Sequence, residues 1–596
     1  LYDRKTDINI RNFINVDDAQ LVGQSSNASN GSKFGEILPQ CAASLADPEF
    51  CNQICVKRNF DYVPQDVDGD LGEVGSLLTF PKPIVASVSG DTSLIQSMFK
   101  IIPGKQWEGH LKKYQLDKNG APQALLWDAG TLLLNKRYQD RKIWSVGNGL
   151  ASGINNLDTA SSTLSVLRNV LDIQEYDDDK TRSLVNMIRG DGSYDGEGSG
   201  QGRWKLADSV SSKPVFVRPP SEPVSKDPSR AHTTAYYRYT NGYLAFKQQS
   251  RNRKSIVLSV TNDGMLHAFD YVTGNELWAF VPPFVLPKLK GLFNPDTTEE
   301  KTSQFLLDLT PSVQDVYDPA TESWRTILVG GSGRAGSGYF ALDITDTEKP
   351  SHLWSFEYDQ NASQTFYWDE DGDRSALSSG YNKLSKGWSQ PVILRLPIAN
   401  SDGQAGPNWT AAFAGGMNKG KDEYHGSVIY IADLMTGKRL HQVDIPDGAA
   451  WEAYNSVPSR MTAITADVMS NEENTKQGAM IYFGDLEGRV WALDWMRPPF
   501  TDITGDTVPR MLANLDANYS NERSIFLPLT YGKMSNGDAY LFTATGDQTQ
   551  LMSENEDASN VLASLKVPSY DLIQQGRQDV LVMDSLSNAS TTTCAA

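Results

Sequence analysis

The chain has 596 residues, enough for one large domain or several, and 39% of them are hydrophobic, which is ordinary for a globular protein. Its 54 Lys and Arg are outnumbered by 73 Asp and Glu, and the formal net charge of -19 argues against nucleic acid or an anionic membrane surface as a partner. Because the sequence has no run of about 18 apolar residues, we predict no transmembrane segment.

Residues 1–75 are polar and show little hydrophobic periodicity, so we predict an irregular extension or the end of a missing upstream domain. The chain starts at Leu1 without a signal peptide, which indicates a processed product or a piece of a longer protein. Its four cysteines are Cys41, Cys51, Cys55 and Cys594. They favour disulfides in an oxidising compartment over a zinc site, but four cysteines allow three pairings and the sequence does not choose among them.

Residues 76–203 are predicted to form strands and short helices that lead into the main repeat. Strand patterns run from Leu77 to Val146, and between Asp158 and Arg189 the apolar residues recur at helical spacing. We therefore expect one or two short helices there, followed by a glycine-rich loop over residues 191–201.

An Arg-Gly-Asp tripeptide, Arg189, Gly190 and Asp191, stands at the head of that loop. An exposed copy can present its carboxylate to a metal-dependent adhesion receptor, so these residues form a candidate receptor-binding site. A tripeptide is also short enough to occur by chance, and both interpretations stay open.

The rest of the chain is organised around the stretch from Ser255 to Phe280. Two apolar runs are separated by the tight-turn signal Asn262-Asp263-Gly264, and the second run ends at Asp270. A second turn and a third apolar run containing Trp278 follow. We predict one antiparallel blade of three strands.

This pattern recurs at residues 327–354, 411–443 and 479–495, and a weaker copy begins at Tyr540. The copies are too irregularly spaced for a solenoid but suit propeller blades with loop insertions. We predict an all-β fold, a modified β-propeller of six or seven irregular blades over residues 204–596. At least five blades are readable, and the irregular N-terminal extension and a few short helices accompany them.

Residues suited to catalysis are sparse. None of the six histidines has metal-ligand spacing, and no Gly-x-Ser-x-Gly elbow occurs. His267 lies within a predicted strand, where a packed histidine is the simplest interpretation. We predict that the protein is not an enzyme.

Two acidic segments have the composition of calcium loops, in which alternate carboxylates converge around a glycine. They contain Asp66, Asp68 and Asp70 in the first segment and Asp369, Asp371 and Asp373 in the second. Neither matches the complete EF-hand spacing, so solvated acidic turns are the alternative. A third loop, from Asp467 to Thr475, places Met469 where a hard cation would need an oxygen ligand.

Several runs resemble the PilC/PilY family of type IV pilus-associated proteins, and they follow one another in the family's order over roughly residues 95–550. They are WEGHLKKYQLD at Trp107, LLWDAGTLL at Leu125, DSVSSKPVFV at Asp208, TNDGMLHAFDYVTGNELWAFVP at Thr261, TILVGGSGRAGSGYFALDIT at Thr326 and IYFGDLEGRVWALDW at Ile481.

The resemblance implies a C-terminal β-propeller that is exported to the outer surface of a Gram-negative bacterium and acts at the pilus tip. Adhesion, pilus assembly and retraction, and twitching motility are the implied roles. The implied partners are minor pilins and a receptor on a host cell or an abiotic surface. The family's calcium loop falls by position on Asp467, Asn471 and Glu473, and this sequence departs from the pattern at Met469 and Thr475.

The pattern A-x-D-x-x-T-G-x-x-x-W also resembles the repeat of propellers that bind pyrroloquinoline quinone. A quinone-dependent dehydrogenase with calcium in its channel is therefore the alternative function. The vicinal cysteine pair of some of those dehydrogenases is absent here. We interpret Trp278, Trp354 and Trp491 as residues that pack one blade on the next.

Overall fold

The computed structural model describes residues 36–37, 56–57, 74–75, 93–100, 107–117, 122–192, 203–292, 304–418, 425–446, 455–469, 476–498, 501–503, 507–516, 523–534, 537–547, 560–568, 573 and 580–582. The chain divides into two compact units. The first comprises Leu1–Gly72, Gly484–Trp491 and Met511–Ala596, and the second comprises Glu73–Phe483 and Ala492–Arg510.

Strands dominate the described residues. In chain order they are β1 (Glu36–Ile37), β2 (Val56–Lys57), β3 (Val74–Gly75), β4 (Ser93–Lys100), β5 (Glu108–Leu116), β6 (Pro122–Asp128), β7 (Ile143–Trp144), β8 (Val215–Val217), β9 (Ile256–Thr261), β10 (Met265–Asp270), β11 (Glu276–Phe280), β12 (Ser312–Asp318), β13 (Ser323–Gly331), β14 (Gly338–Asp343), β15 (Ser351–Asp359), β16 (Gln364–Trp368), β17 (Arg374–Leu377), β18 (Val392–Leu396), β19 (Asn408–Ala414), β20 (Val428–Asp433), β21 (Arg439–Asp444), β22 (Thr462–Thr465), β23 (Ala479–Gly484), β24 (Arg489–Asp494), β25 (Arg510–Asn514), β26 (Thr530–Lys533), β27 (Ala539–Ala544), β28 (Leu562–Lys566) and β29 (Leu581–Val582).

Helices are few and short. Across the described ranges the α-helices are Ala129–Asn135, Leu164–Leu171, Asp178–Arg189, Thr234–Thr240, Tyr243–Gln249 and Ala466–Met469. Short 3₁₀ segments occur at Tyr138–Asp140, Pro228–Arg230, Leu286–Leu292 and Gly333–Ala335. None of these helices combines the length and the hydrophobicity that crossing a bilayer requires.

One or two short helices were expected between Asp158 and Arg189, and the structure has two, whose ends are set by local chemistry. Thr163 and Asp177 accept hydrogen bonds from backbone amides of the first turn, as N-caps do. The second helix ends at Gly190, whose φ of 94° is the left-handed conformation that favours glycine. Their apolar faces pack into the same core as the strands that follow.

The second unit contains four complete sheets, antiparallel except for one strand pair, which we term the first to fourth sheets. The first has the order β3-β4-β5-β6 and the second has β7-β11-β10-β9-β8, in which β7 joins β11 in parallel. The third has the order β12-β13-β14-β15-β16-β17 and the fourth has β18-β19-β20-β21. Strands β22 and β23 also pair, with Thr462 opposite Tyr482.

The stretch from Ser255 to Phe280 forms three strands of the second sheet, as predicted. Strands β9 and β10 pair from Thr261 and Met265 onward around the turn at Gly264, where φ is 92°. At the second turn one carboxylate oxygen of Asp270 accepts the amides of Val272 and Thr273 at 2.8 and 2.9 Å. An Asx turn therefore ends β10 and returns the chain into β11.

The first unit has its own pairings. Strand β1 pairs with β2 in antiparallel fashion, β26, β27 and β28 form an antiparallel sheet, and β25 pairs with β29 in parallel. The irregular extension predicted for residues 1–75 lies almost wholly outside the described residues, as do the four cysteines.

Candidate functional site

The second, third and fourth sheets share one loop contact, in which the loop that precedes β8, β12 or β18 meets the loop that follows β9, β13 or β19. We term the former the lead loops, residues 205–214, 304–311 and 378–391. The two loops lie at the same end of an antiparallel sheet, so backbone atoms can pair across them. These hydrogen bonds run from Asn262 to Asp208 (2.9 Å), from Asp308 to Ser332 (3.1 Å) and from Ser385 to Gly415 (2.8 Å).

Asp208, in the first lead loop, is fully buried. The side-chain amide of Asn262 donates to its Oδ2, and Thr261 donates to the adjacent Asp263 at 2.6 Å. Burial raises the pKa of Asp208 to about 7, and the nearby charges of Asp263 and Asp308 add to that effect. The hydrogen bond from Asn262 only partly opposes it.

Asp308, in the second lead loop, is also buried and reaches back to the first. Its Oδ1 accepts the amide of Ser211 at 2.9 Å, and Nε of Arg334 lies 3.6 Å from its Oδ2. Burial raises the pKa of Asp308 to about 6 in spite of the amide and of Arg334. Two neighbouring sheets thus bring two buried carboxyl groups to one place.

Asp467, the first residue of the family calcium position, binds the beginning of the helix Thr234–Thr240. One carboxylate oxygen accepts the amide of Ala235 at 2.9 Å and the other accepts the amide of Thr234 at 3.0 Å. Arg230 donates to its backbone carbonyl at 3.2 Å. A calcium ion at Asp467 would have to share or displace these bonds, and Asn471 and Glu473 lie outside the described residues.

The surroundings of Asp467 are also cationic. The guanidinium of Arg395 acts on it electrostatically and lies 3.8 Å from the centre of the Tyr237 ring. Burial lowers the pKa of Arg395 to about 10, and burial together with Arg230 lowers the pKa of His232. The positive charge is itself poorly solvated here, so a carboxylate at this position stabilises it.

The acidic segment at Asp369 forms the turn between β16 and β17. One carboxylate oxygen of Asp369 accepts the amides of Asp371 and Asp373, at 3.2 and 2.9 Å, and Gly372 has a φ of 86°. This is an Asx turn built from the calcium-loop composition, and calcium binding there stays a prediction. The other segment, with Asp66, Asp68 and Asp70, lies outside the described residues.

The Arg-Gly-Asp tripeptide is built into the end of a helix. Arg189 is 1% exposed, and its guanidinium donates to the carbonyls of Arg141 and Leu157 at 2.6 and 2.9 Å and to Asn155 at 3.0 Å. Gly190 caps the helix. The guanidinium is enclosed, so a presented Arg-Gly-Asp motif does not fit this structure.

Tryptophans link successive sheets of the second unit. The indole N–H of Trp278 donates to the carbonyl of Thr347, between β14 and β15 of the third sheet. That of Trp354 donates to the carbonyl of Leu434, between β20 and β21 of the fourth, and both bonds are 2.9 Å long. Both side chains are fully buried, so neither indole can stack on a quinone. The interpretation of these two residues as blade-packing residues is confirmed.

Trp491 packs differently. Within the first unit its indole N–H donates to Asp485 at 2.8 Å, beside the buried Arg489. Sequence reasoning also missed Trp127, whose indole donates to the carbonyl of Tyr271 at 3.1 Å and so links the first sheet to the second.

No three His, Cys, Asp or Glu side chains are arranged to hold a metal ion in the part of the chain that the structure describes. Residues 229–502 match the family model described as the PilY1 beta-propeller domain. These residues form a PilY1-family β-propeller. The resemblance to the PilC/PilY family and the predicted propeller fold are thereby confirmed.

Similar proteins carry the same family name. The chain is 29% identical over 395 residues to a type IV pilus biogenesis factor PilY1 homolog of Xylella fastidiosa. The aligned region covers 66% of this chain and 27% of that homolog. It is 28% identical over 408 residues to the type IV pilus biogenesis factor PilY1 of Pseudomonas aeruginosa UCBPP-PA14. That alignment covers 65% of this chain and 30% of the relative. The chain thus spans less than a third of either relative.

A solved structure, the C-terminal domain of Pseudomonas aeruginosa PilY1, aligns with 57% of this chain and 62% of its own. The sequence identity is 19% and the TM-score is 0.40.

Proposed function

We propose that this chain serves type IV pilus biogenesis as a propeller that binds other proteins and carries out no chemistry itself. The observation that carries the proposal is the match of residues 229–502 to the PilY1 propeller. The relatives' name, type IV pilus biogenesis factor, supports it. Blade sheets linked by buried tryptophans supply a rigid support for the loops between strands, which are the usual place for binding residues.

The proposed place of action is the pilus tip, on the outer surface of a Gram-negative bacterium. The proposed partners are minor pilins, for assembly and retraction, and a host-cell or abiotic surface, for adhesion. The family resemblance supports both. Arg189 is enclosed, so we do not propose that adhesion uses the Arg-Gly-Asp tripeptide.

A deletion strain tests this function. We expect loss of surface pili, of twitching and of adhesion, and recovery of all three when the intact gene is restored. A second measurement is capture of minor pilins by the purified chain, with an unrelated β-propeller as the control. Normal pili, motility and adhesion in the deletion strain would contradict the proposal.

We further propose calcium regulation, at the loop containing Asp467, Asn471 and Glu473. Bound calcium would neutralise carboxylates that repel each other and order their loop. Calorimetric titration with calcium tests this proposal in the native chain and in Asp467→Ala, Asp371→Ala and Asp68→Ala. The loss of calcium binding in each variant ranks the three acidic loops. Undetectable heat at millimolar calcium would contradict a calcium site in this chain.

A further inference from the structure

A group of buried oxygen atoms between the second and third sheets has no hydrogen-bond donor among the described residues. They are Oδ1 of Asp208, Oδ1 of Asn262, Oγ of Ser212 and Oδ2 of Asp308. The first three residues are 0% exposed and Asp308 is 3% exposed. A buried acceptor without a partner costs about 1–3 kcal/mol, and a charged one more, so such a group is seldom left unsatisfied.

The residues of this group are held close together. The side-chain amide of Asn262 donates to Oδ2 of Asp208, which leaves one oxygen of each side chain without a donor. The amide of Ser211, next to Ser212, donates to Oδ1 of Asp308 at 2.9 Å, which leaves Oδ2. Asp208 is therefore anchored by one oxygen and offers the other, while the second oxygen of Asp308 faces Nε of Arg334 at 3.6 Å.

The electrostatics of the group are unbalanced. The charges of Asp263 and Asp308 both act on Asp208, whereas the guanidinium of Arg334 acts on Asp308. The side chain of Arg334 is 34% exposed, and its buried Nε stands 3.6 Å from Oδ2 of Asp308, beyond hydrogen-bond length. The excess of negative charge is what a divalent cation would neutralise, and burial of uncompensated carboxyls also explains why both pKa values are raised.

We propose that Asp208, Asn262, Ser212 and Asp308 bind a divalent cation, and that Ca²⁺ is the ion to test. Carboxylate, amide and hydroxyl oxygens are the hard ligands that Ca²⁺ takes, and water completes its six to eight positions. The proposed ligands are two carboxylates, one amide oxygen and one hydroxyl oxygen. They therefore do not require the group of three acidic or histidine side chains that the described residues lack. The site is separate from the loop at Asp467.

Such an ion joins the lead loops of two consecutive blades. Asp208 and Ser212 belong to the lead loop of the second sheet and Asp308 to that of the third, while Asn262 lies in the turn after β9. Binding therefore stabilises the junction between the two sheets. The inference does not depend on the proposed pilus function.

The test is titration of the purified full chain with CaCl₂, followed by calorimetry and by thermal unfolding, at about pH 7.5. Asp208→Asn with Asp308→Asn keeps the shape of both side chains and removes both charges. We expect this double variant to bind one equivalent of Ca²⁺ less than the native chain and to lose the rise in Tm that Ca²⁺ produces. In a chelator it should unfold no earlier than the native chain, since two buried charges are gone.

Two further variants keep the result specific. Asp467→Ala should retain this equivalent of Ca²⁺, because its loop is a different site. Arg334→Gln should tighten Ca²⁺ binding severalfold, since it removes the charge that repels the ion. Equal binding by the native chain and the double variant, or weaker binding by Arg334→Gln, would overturn the proposal and leave ordered water as the partner of these oxygens.

Discussion

The indole N–H of Trp354 donates a 2.9 Å hydrogen bond to the backbone carbonyl of Leu434, and this bond links the third sheet to the fourth. Trp354 is fully buried, and its ring lies against Gly437 in the turn that follows β20. The bond joins an indole donor to a carbonyl that has little access to water. Both the ring and the bond hold the two sheets together.

We expect Trp354→Phe to lower the free energy of unfolding by about 1–3 kcal/mol more than Trp409→Phe does. Both changes remove the same volume from a buried position, but the indole N–H of Trp409 has no partner among the described residues. Only Trp354→Phe leaves a buried carbonyl without its donor. Equal losses in urea unfolding would show that packing alone makes the link.

The turn beneath Trp354 gives a second prediction. Gly437 has a φ of 64°, and a Cβ there would lie 2.4 Å from Cδ2 of the Trp354 ring. Gly403 has a φ of 79° with nothing within 4 Å of its Cβ position. Gly437→Ala and Gly403→Ala therefore share the backbone strain, and only the former adds a clash.

We expect Gly437→Ala to destabilise the chain by about 1–3 kcal/mol more than Gly403→Ala, as overpacking of a core does. Thermal unfolding of the two variants measures the difference. A Tm for Gly437→Ala as high as that of Gly403→Ala would mean that the ring moves aside without cost.

Sequence reasoning located the blades because their determinants are local. The turn at Gly264, the Asx turn at Asp270 and the alternation of apolar residues all depend on neighbours a few positions apart. The docking role of Trp278 and Trp354 followed from the same repeat. Trp127 was missed because its strand lacks the repeated pattern, although it docks in the same way.

The candidate sites were less predictable because their contacts join distant parts of the chain. Asp308 binds the amide of Ser211, and Asp467 binds Thr234 and Ala235, more than 200 positions earlier. Composition marked Asp369 as a candidate calcium ligand, but it did not show that one oxygen of this carboxylate accepts two amides of its own turn. An aspartate precedes the proline in two of the three lead loops, at Asp208 and Asp308, and this is a local signal that the sequence offers.

His352 makes stability depend on pH. It is buried in the third sheet with Nε2 2.8 Å from Oγ of Ser355, and burial lowers its pKa from 6.5 to about 4. A depressed pKa in the folded state means that the unfolded chain binds the proton more readily. The stability that His352 contributes is therefore complete above about pH 6.5 and is lost as the pH falls through about 4.

We expect the native chain to lose about 3 kcal/mol more than His352→Gln between about pH 7 and about pH 4, since glutamine does not titrate. The comparison cancels the carboxylates that both chains share. Urea unfolding at several pH values measures it. Parallel stability curves for the two chains would show that the protonated ring is accommodated in the fold.

Asp467 gives the prediction that separates a structural carboxylate from a calcium ligand. Its two oxygens accept the amides of Thr234 and Ala235, so it satisfies donors that the start of a helix leaves without intrahelical partners. A negative charge at the N-terminus of a helix also interacts favourably with the helix dipole. In a chelator, where no calcium can contribute, Asp467→Ala should still cost about 1–2 kcal/mol.

Amide hydrogen exchange shows whether the destabilisation by Asp467→Ala is confined to the start of the helix. We expect the amide protons of Thr234 and Ala235 to exchange faster in Asp467→Ala, while those of the helix Tyr243–Gln249 keep their native rates and serve as the internal control. Asp467→Asn retains one carbonyl oxygen as an acceptor, so its exchange should be intermediate. Native exchange rates for both amides in Asp467→Ala without calcium would show that the carboxylate does not stabilise the start of the helix. A structural role for Asp467 would then be contradicted.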